Sequence, residues 1–585
     1  MKLSCVIAKW QSPRFILLII TLAFSACSPQ ITPPPQVVQE SPPPTVQPDV
    51  VISTPLPTSV RIGASVPSAL REQVQSLNLP SFILDASPFV PSNSSFSETK
   101  IQWVYALVAP FPTITDGVTF DELHIAWTEG TAPAVSPEPV EGPFSGIPLL
   151  MAESTLAAFT EQWDAPAPGA VRIVSSDQLL DTVWSESAWA IIPFESLEPK
   201  WKVLTIDGQS PIRKNFDISS YPLVIDFTLQ TSANFQFSNS LHSNYDPSKL
   251  TTVILTGVTA LVRATAVTME YKSITYPGEK IRGVLREADI AHISNEIPFF
   301  TGCPFPTPDQ AALVFCSDPK YIDLLTDVGA DVVELTGNHF ADRGATGMLE
   351  TITIYNENNL PYFGGGADLQ DSLKPALFEV NGNKIAFIGC NKPDVERFPT
   401  ARDFRPGAAP CDFEYLTHKI AGLKSQGYVV ISTFQWNESY DSRPSPQQMD
   451  DFRLMADSGA SIVSGSQAHY AQLMEFYGEA FIHYGLGNLF FDQMGDQDWM
   501  PRGIRREFLD RYVIYDGKLI SVELITALLE DYSRPRLMSG QERAQFLNEY
   551  FFYSGWTPLI PTATSAVTPT LTPMTIPTAV GTPKP

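Results

Sequence analysis

Basic residues are scarce in this chain of 585 residues: 38 Lys and Arg stand against 63 Asp and Glu, for a net charge of −25. A chain short of cations has little with which to neutralise a phosphate backbone, which argues against a nucleic-acid partner. It argues equally against simple electrostatic attachment to anionic lipid. Histidine is scarce too, at seven, so each one has to be accounted for. The six cysteines include no CxxC pair, and a zinc ribbon needs such pairs. No Ser/His/Asp or Cys/His grouping has the context of a nucleophilic site. The apolar run Phe15–Phe24 is too short for a comfortable transmembrane helix.

Proline, by contrast, is abundant, and the 52 prolines crowd towards the two ends. Lys2, Lys9 and Arg14 precede the apolar run, and Phe24-Ser25-Ala26-Cys27 follows it. That is the layout of an export signal. Small residues before a cysteine resemble a bacterial lipoprotein cleavage site, with residues 1–27 as signal and Cys27 lipidated. The expectation is an extracytoplasmic lipoprotein held at the membrane of a bacterial surface through Cys27; ordinary secretion or an uncleaved anchor are the alternatives. Residues 28–59 read as a Pro-rich spacer and 557–585 as a Pro/Thr-rich tail, since neither composition can bury a core. In an oxidising compartment the remaining Cys303, Cys316, Cys390 and Cys411 allow two disulfides in three connectivities. The near-neighbour pairing, Cys303–Cys316 and Cys390–Cys411, is the expected one.

Residues 60–241 form a first region of mixed α/β pattern. Its segments 105–112 and 202–208 loosely resemble pieces of an extracytoplasmic solute-binding domain of the phosphate type; a structural α/β domain without a ligand reads the same residues equally well. Residues 250–553 are more regular. Strands are expected at Thr252–Gly257, Asp289–Ser294, Asp331–Leu335, Tyr428–Phe434, Ser461–Val463, Ala480–Tyr484 and Leu519–Ile525. Helices are expected at Glu279–Ala288, Pro319–Val328, Ala345–Asn358, Phe413–Gln426 and Ser445–Ser458. Asn381-Gly382 marks a hairpin. Alternating β and α predicts mainly parallel pairing, and ligands then bind at the carboxyl ends of the strands.

Four segments fall at such ends. They are Gly257–Arg263 (G-V-T-A-L-V-R), Ser294–Phe299, Leu335–Gly344 (L-T-G-N-H-F-A-D-R-G), and the pair Gly465–His469 with Tyr484–Asp492. Taken in order, they resemble the CapA family of poly-γ-glutamate capsule biosynthesis proteins, whose domain is similar to calcineurin-like metallophosphoesterases. The carriers of the resemblance are N-H-x-x-D-x-G at Asn338–Gly344 and L-G-N-x-x-F-D at Leu486–Asp492. It implies an α/β metallophosphoesterase-like sandwich over 250–553, preceded by the smaller α/β domain. Carried over by position, Glu296, Asn338 and His469 are metal ligands, His339 is a general acid oriented by Asp342, and Arg263 contacts an anionic group of the substrate.

The departures from the pattern fall on ligand positions. Val258 stands where the family has its first Asp, Gln435 where it has the His of H-W-G, and Ser466 and Gln467 where it has two of the histidines of G-H-H-P-H. Two-ion hydrolysis needs carboxylates and several imidazoles, so the set fits at most one divalent ion. The expected function is synthesis, anchoring or processing of a polyanionic polymer such as poly-γ-glutamate, with metal-dependent hydrolase chemistry. The alternative is a non-catalytic module that binds an anion or a small solute. Of the other histidines, His292 and His483 read as hydrogen-bonded core residues and His418 as a surface residue. His124 and His242 lie outside the domain. Asn488 and Asp492 read as fixing a tight turn.

Overall fold

The computed structural model describes residues 60–86, 96–130, 147–232, 241–310, 312–392, 400–495 and 503–556. The expected signal with Cys27, the spacer and the Pro/Thr-rich tail lie outside the described residues. No helix among the described residues is long and apolar enough to cross a membrane.

The first region is built on an eight-stranded mixed sheet. Its centre is the long strand Phe96–Pro110, paired antiparallel with Val224–Ser232 on one side and with Ala190–Pro193 on the other. Trp103, Tyr105 and Leu107 alternate with Val104, Ala106 and Val108, and all are buried, so helices cover both faces of this strand. The helix Phe120–Thr128 starts at a capping box, Thr119 with Glu122.

The second region is a sandwich of two sheets. One runs Tyr362–Phe363, Val332–Glu334, Ile290–Asn295, Leu250–Leu255, Arg506–Tyr515, Lys518–Glu530, Arg534–Leu537. Its first four strands are parallel and the rest antiparallel. The other runs Ala376–Val380, Asn383–Asn391, Tyr428–Ser439, Ile462–Ala468, Ala480–His483, Met474–Tyr477. Val253, Leu255, Ile290 and Val332 of the first sheet share one apolar core with Ile385, Phe387, Ile431 and Ile462 of the second. The helices Arg263–Tyr271, Ile322–Asp327 and Gly344–Glu357 back the first sheet, and Phe413–Ser425 and Pro446–Asp457 back the second. The result is the expected α/β sandwich, four layers deep, with parallel strands of both sheets ending on the same rim. Both expected disulfides are formed, Cys303–Cys316 and Cys390–Cys411.

Three elements differ from the sequence reading. The helix expected at Glu279–Ala288 begins only at Arg282, after the 3-10 turn Tyr276–Gly278. The strand Arg506–Tyr515 and the helix Gly540–Tyr553 went unread. The regions 60–241 and 250–553 fall in one compact unit, Leu56–Pro585. They are joined by Arg213 on Glu523 and by Phe111 among Phe476, Phe481, Phe551 and Trp556.

Candidate active site

Four of the six expected site residues follow the carboxyl end of a parallel strand. Glu296 follows Ile290–Asn295, Asn338 and His339 open the 3-10 turn after Val332–Glu334, and His469 follows Ile462–Ala468. Two close backbone approaches assemble them. A Cβ on Gly337 would lie 2.7 Å from the Glu296 Cα, so only glycine lets the Asn338 turn press against Glu296. A Cβ on Gly257 would lie 2.1 Å from the Gly487 carbonyl oxygen, and this contact lets Val258 and Asn488 form a bridge.

The side chains close a ring. Gln435 donates from Nε2 to Asn338 Oδ1 at 3.0 Å and to Gln467 Oε1. Two residues on, the His469 ring lies 4.8 Å from Phe491 and 5.6 Å from Tyr440. The Arg263 guanidinium stands over Phe491 at 5.4 Å and over Phe315 at 5.5 Å. Phe315 lies 4.9 Å from the His339 ring, beside Asn338 again. Two residues of the ring, Arg263 (φ 45°) and Gln467 (φ 72°), hold left-handed backbone that costs an L-residue ~1–2 kcal/mol, which the surrounding contacts must offset.

Both imidazoles are oriented. His339 Nδ1 donates to Asp342 Oδ2 at 2.7 Å, which fixes the tautomer and leaves the lone pair on Nε2. The same carboxylate oxygen accepts the Phe315 N–H at 2.7 Å. His469 Nδ1 donates to Asn488 Oδ1 at 2.9 Å, and Asn488 donates in turn to Gln493 Oε1 at 2.9 Å. A hydrogen bond at one ring nitrogen that presents the other is how metal-binding histidines are held.

Glu296 is 3% exposed, and its Oε1 has no hydrogen-bond partner among the described residues. A buried carboxylate oxygen left without a donor costs stability, so it points to a cation or a donor brought by a ligand. Burial, then Glu438, push the Tyr440 hydroxyl above its ordinary pKa, and the charge of Glu296 adds to this.

Arg263 is expected to meet substrate. Its guanidinium makes a two-pronged ion pair with Asp492, which also accepts the Ala264 N–H at 3.2 Å. Asp492 and Asn488 therefore anchor the Arg263 and His469 side chains. His292 and His483 lie in the core as expected. His292 Nε2 is 3.1 Å from Glu334 Oε2, and His483 Nδ1 is 2.6 Å from Asp510 Oδ2. Burial is the largest single influence and acts to raise Glu334, but the hydrogen bond and charge of His292 together with the hydrogen bonds of Thr336 and Thr433 hold the carboxyl below its ordinary pKa.

Sequence reasoning missed Phe315 and Tyr440. The signal for Phe315 was its neighbour Cys316, because the Cys303–Cys316 disulfide ties down the loop that sets Phe315 between Arg263 and His339. Tyr440 carried none.

The donor set is unequal to a two-ion centre. Val258 is 1% exposed and packs with Ala260, Val262, Ile297, Phe315 and Phe491, so the place of a carboxylate is an apolar seal. Among the described residues no group of three or more His, Cys, Asp or Glu could hold a metal ion. Two strong donors stand at the ring, Glu296 Oε1 and the lone-pair nitrogen of His469, with amide oxygens beside them. That chemistry fits a single hard divalent ion.

Residues 252–493 match the family described as bacterial capsule synthesis protein PGA_cap. The PGA biosynthesis protein CapA of Bacillus subtilis (strain 168) is 32% identical over 178 residues, 30% of this chain and 47% of the relative. The capsule biosynthesis protein CapA of Bacillus anthracis is 32% identical over 177 residues, 29% of this chain and 43% of that one. The chain thus spans less than half the length of these relatives. Among solved structures, the NAD nucleotidase (NadN) of Haemophilus influenzae aligns over 51% of this chain and 55% of its own, with a TM-score of 0.32 and 11% identity. A likeness that low supports no statement about chemistry. The segment that resembles the bacterial capsule synthesis protein family PGA_cap, Thr252–Gln493, carries the whole ring.

Proposed function

We propose that the chain takes part in making or processing a poly-γ-glutamate capsule polymer, and that the ring at the sheet rim hydrolyses an amide or ester bond of a polyanionic substrate. Two observations at the sheet rim carry the reading: His339 is held by Asp342, and Glu296, whose backbone packs against the Asn338 turn, has an unpartnered Oε1. His339, with its tautomer fixed, moves a proton at Nε2 to or from the leaving atom. Asn338, Gln435 and Gln467 offer carboxamides that suit the repeating amides of such a polymer. Arg263, held in place by Asp492, presents the remaining N–H groups of its guanidinium to the pendant α-carboxylates. One divalent ion, held by Glu296, Asn338 and His469, would polarise the bond under attack. The export layout of residues 1–27 supports a place at the cell surface, anchored through Cys27.

A second reading is favoured by one observation, the apolar seal at Val258: the ring binds the polymer without cutting it. One experiment separates the two. The purified chain is incubated with γ-linked glutamate oligomers and Mn²⁺ or Mg²⁺, and both oligomer length and binding are followed. Shortening that His339→Ala abolishes supports hydrolysis. Binding without shortening supports the second reading, and neither binding nor shortening overturns both.

A further inference from the structure

A relay of polar side chains leads from His469 to the protein surface. His469 Nδ1 lies 2.9 Å from Asn488 Oδ1, and Asn488 Nδ2 lies 2.9 Å from Gln493 Oε1. Gln493 Nε2 lies 3.1 Å from the Tyr440 hydroxyl, which lies 2.6 Å from Glu438 Oε1. His469, Asn488 and Gln493 are buried, Tyr440 is half-buried and Glu438 is exposed. Three segments meet in the relay. They are the end of the strand Tyr428–Ser439 with Tyr440 after it, the residue after Ile462–Ala468, and the loop after Ala480–His483.

The direction of the relay follows from its surface end. A carboxylate only accepts hydrogen bonds. Tyr440 therefore donates its single proton to Glu438 and has only lone pairs to offer Gln493. Its hydroxyl, raised above its ordinary pKa by burial and by Glu438, keeps that proton. Gln493 must then turn its NH₂ towards Tyr440 and its oxygen towards Asn488. Asn488 in turn gives its NH₂ to Gln493 and its oxygen to His469. That leaves His469 to donate from Nδ1 and to carry its lone pair on Nε2. Reversing one amide while Glu438 still accepts sets two donors or two acceptors face to face in the buried part. Each such mismatch costs about 1–3 kcal/mol.

We propose that Glu438, an exposed carboxylate four hydrogen bonds from His469, is a positioning residue that sets which ring nitrogen of His469 carries the proton. The effect passes as hydrogen-bond direction and needs no movement of the backbone. With Glu438 accepting, His469 keeps Nε2 unprotonated and able to bind a cation. That consequence for an ion rests on the reading of His469 as a ligand given above, whereas the direction of the relay does not. Tyr440 has two separable parts in this arrangement. Its ring packs 5.6 Å from the imidazole, and its hydroxyl transmits the direction.

The test is the tautomer of His469, read by nitrogen NMR of the histidine-labelled full chain, without metal, at about pH 8, where an ordinary imidazole is neutral. The His469 signals are identified by their loss in His469→Gln. The wild type is expected to show the Nδ1–H form alone. Glu438→Ala changes an exposed side chain, and Tyr440→Phe keeps the ring contact with His469; each frees the direction and brings in the Nε2–H form. Adding Gln493→Glu to Tyr440→Phe puts an acceptor-only group beside Asn488 and restores the single Nδ1–H form. The apparent dissociation constant for Mn²⁺ rises as the inverse of the Nδ1–H fraction, so half conversion gives about a twofold rise.

An Nε2–H form in the wild type overturns the proposal. So does an Nδ1–H form that persists unmixed in both Glu438→Ala and Tyr440→Phe. A mixture in Tyr440→Phe that Gln493→Glu fails to resolve also overturns it, because hydrogen-bond direction would then not be what was lost. If the tautomer responds as expected while the wild type takes up no Mn²⁺, the relay stands and the reading of His469 as a ligand falls.

Discussion

The two halves of the ring have gone different ways. One half keeps ionisable groups that are oriented: His339 on Asp342, His469 on Asn488, and Glu296 with a bare oxygen. The other half holds Val258 in an apolar cluster, and the carboxamides of Gln435 and Gln467 bonded to each other and to Asn338. The backbone at these positions is nonetheless specific: Gln467 holds a left-handed φ of 72°, and Val258 bridges to Asn488. Strand register and glycine contacts thus set where a side chain stands independently of what that side chain is. The lesson for function is that the polar half has to be tested for chemistry and the apolar half for what it now excludes.

The largest effect is expected at His339. If the polar half performs acid–base chemistry, His339→Ala lowers the rate of γ-glutamyl oligomer cleavage by ~10²–10⁴-fold while binding changes little. A rate that survives within a factor of a few would remove His339 from the chemistry and erase the distinction between the halves. Next comes Val258→Asp. A carboxylate placed among Phe315, Phe491 and Ile297 without a partner should cost about 3–5 kcal/mol of stability, read by urea unfolding in the presence of a chelator. In Val258→Asp/Gln435→His/Gln467→His, Mn²⁺ should recover much of that loss. If Val258→Asp alone takes up a second ion, the apolar half is less closed than its packing indicates. Smaller again is Asn488→Ala, which removes the acceptor for His469 Nδ1 and should weaken binding of one divalent ion by ~10–100-fold, measured by competition with a chromogenic chelator.

Much of this was legible in the sequence, for a physical reason. Parallel strands buried on both faces are apolar runs, and the polar residues directly after them, Asn295-Glu296 and Asn338-His339, stand out against such runs. The strand Arg506–Tyr515 was illegible for the opposite reason. Its Glu507, Asp510 and Arg511 read as surface charges, yet they are 0%, 0% and 5% exposed. Partners distant in sequence bury two of them: His483 meets Asp510, while Glu287 and Glu523 meet Arg511. Arg263 shows the same limit inside the site. Its place in G-V-T-A-L-V-R was evident, whereas its pairing with Asp492, 229 positions on, belongs to the tertiary structure. Periodicity reports which side chains face a core, and only the assembled sheets report which charges find each other.

Glu507 also sharpens the comparison between the halves, because it too is a buried carboxyl with unpartnered oxygens, and it lies on the strand Arg506–Tyr515, which contributes no side chain to the ring. Burial pushes its pKa well above the ordinary carboxylate value. The unfolded chain loses this proton above about pH 4.5, whereas the folded chain keeps it, so the folded state binds more protons and its stability falls as the pH rises. Glu507→Met, close in shape and unable to ionise, removes that penalty. Its stability relative to the wild type should therefore grow as the pH is raised from about 5 to about 8, measured by urea unfolding at each pH, with metal binding and oligomer cleavage unchanged. At Glu296 the parallel change to Met should abolish the bound ion. If Glu507→Met instead loses the ion as well, an orphaned carboxyl outside the ring belongs to the site, and the boundary drawn around the polar half is in the wrong place.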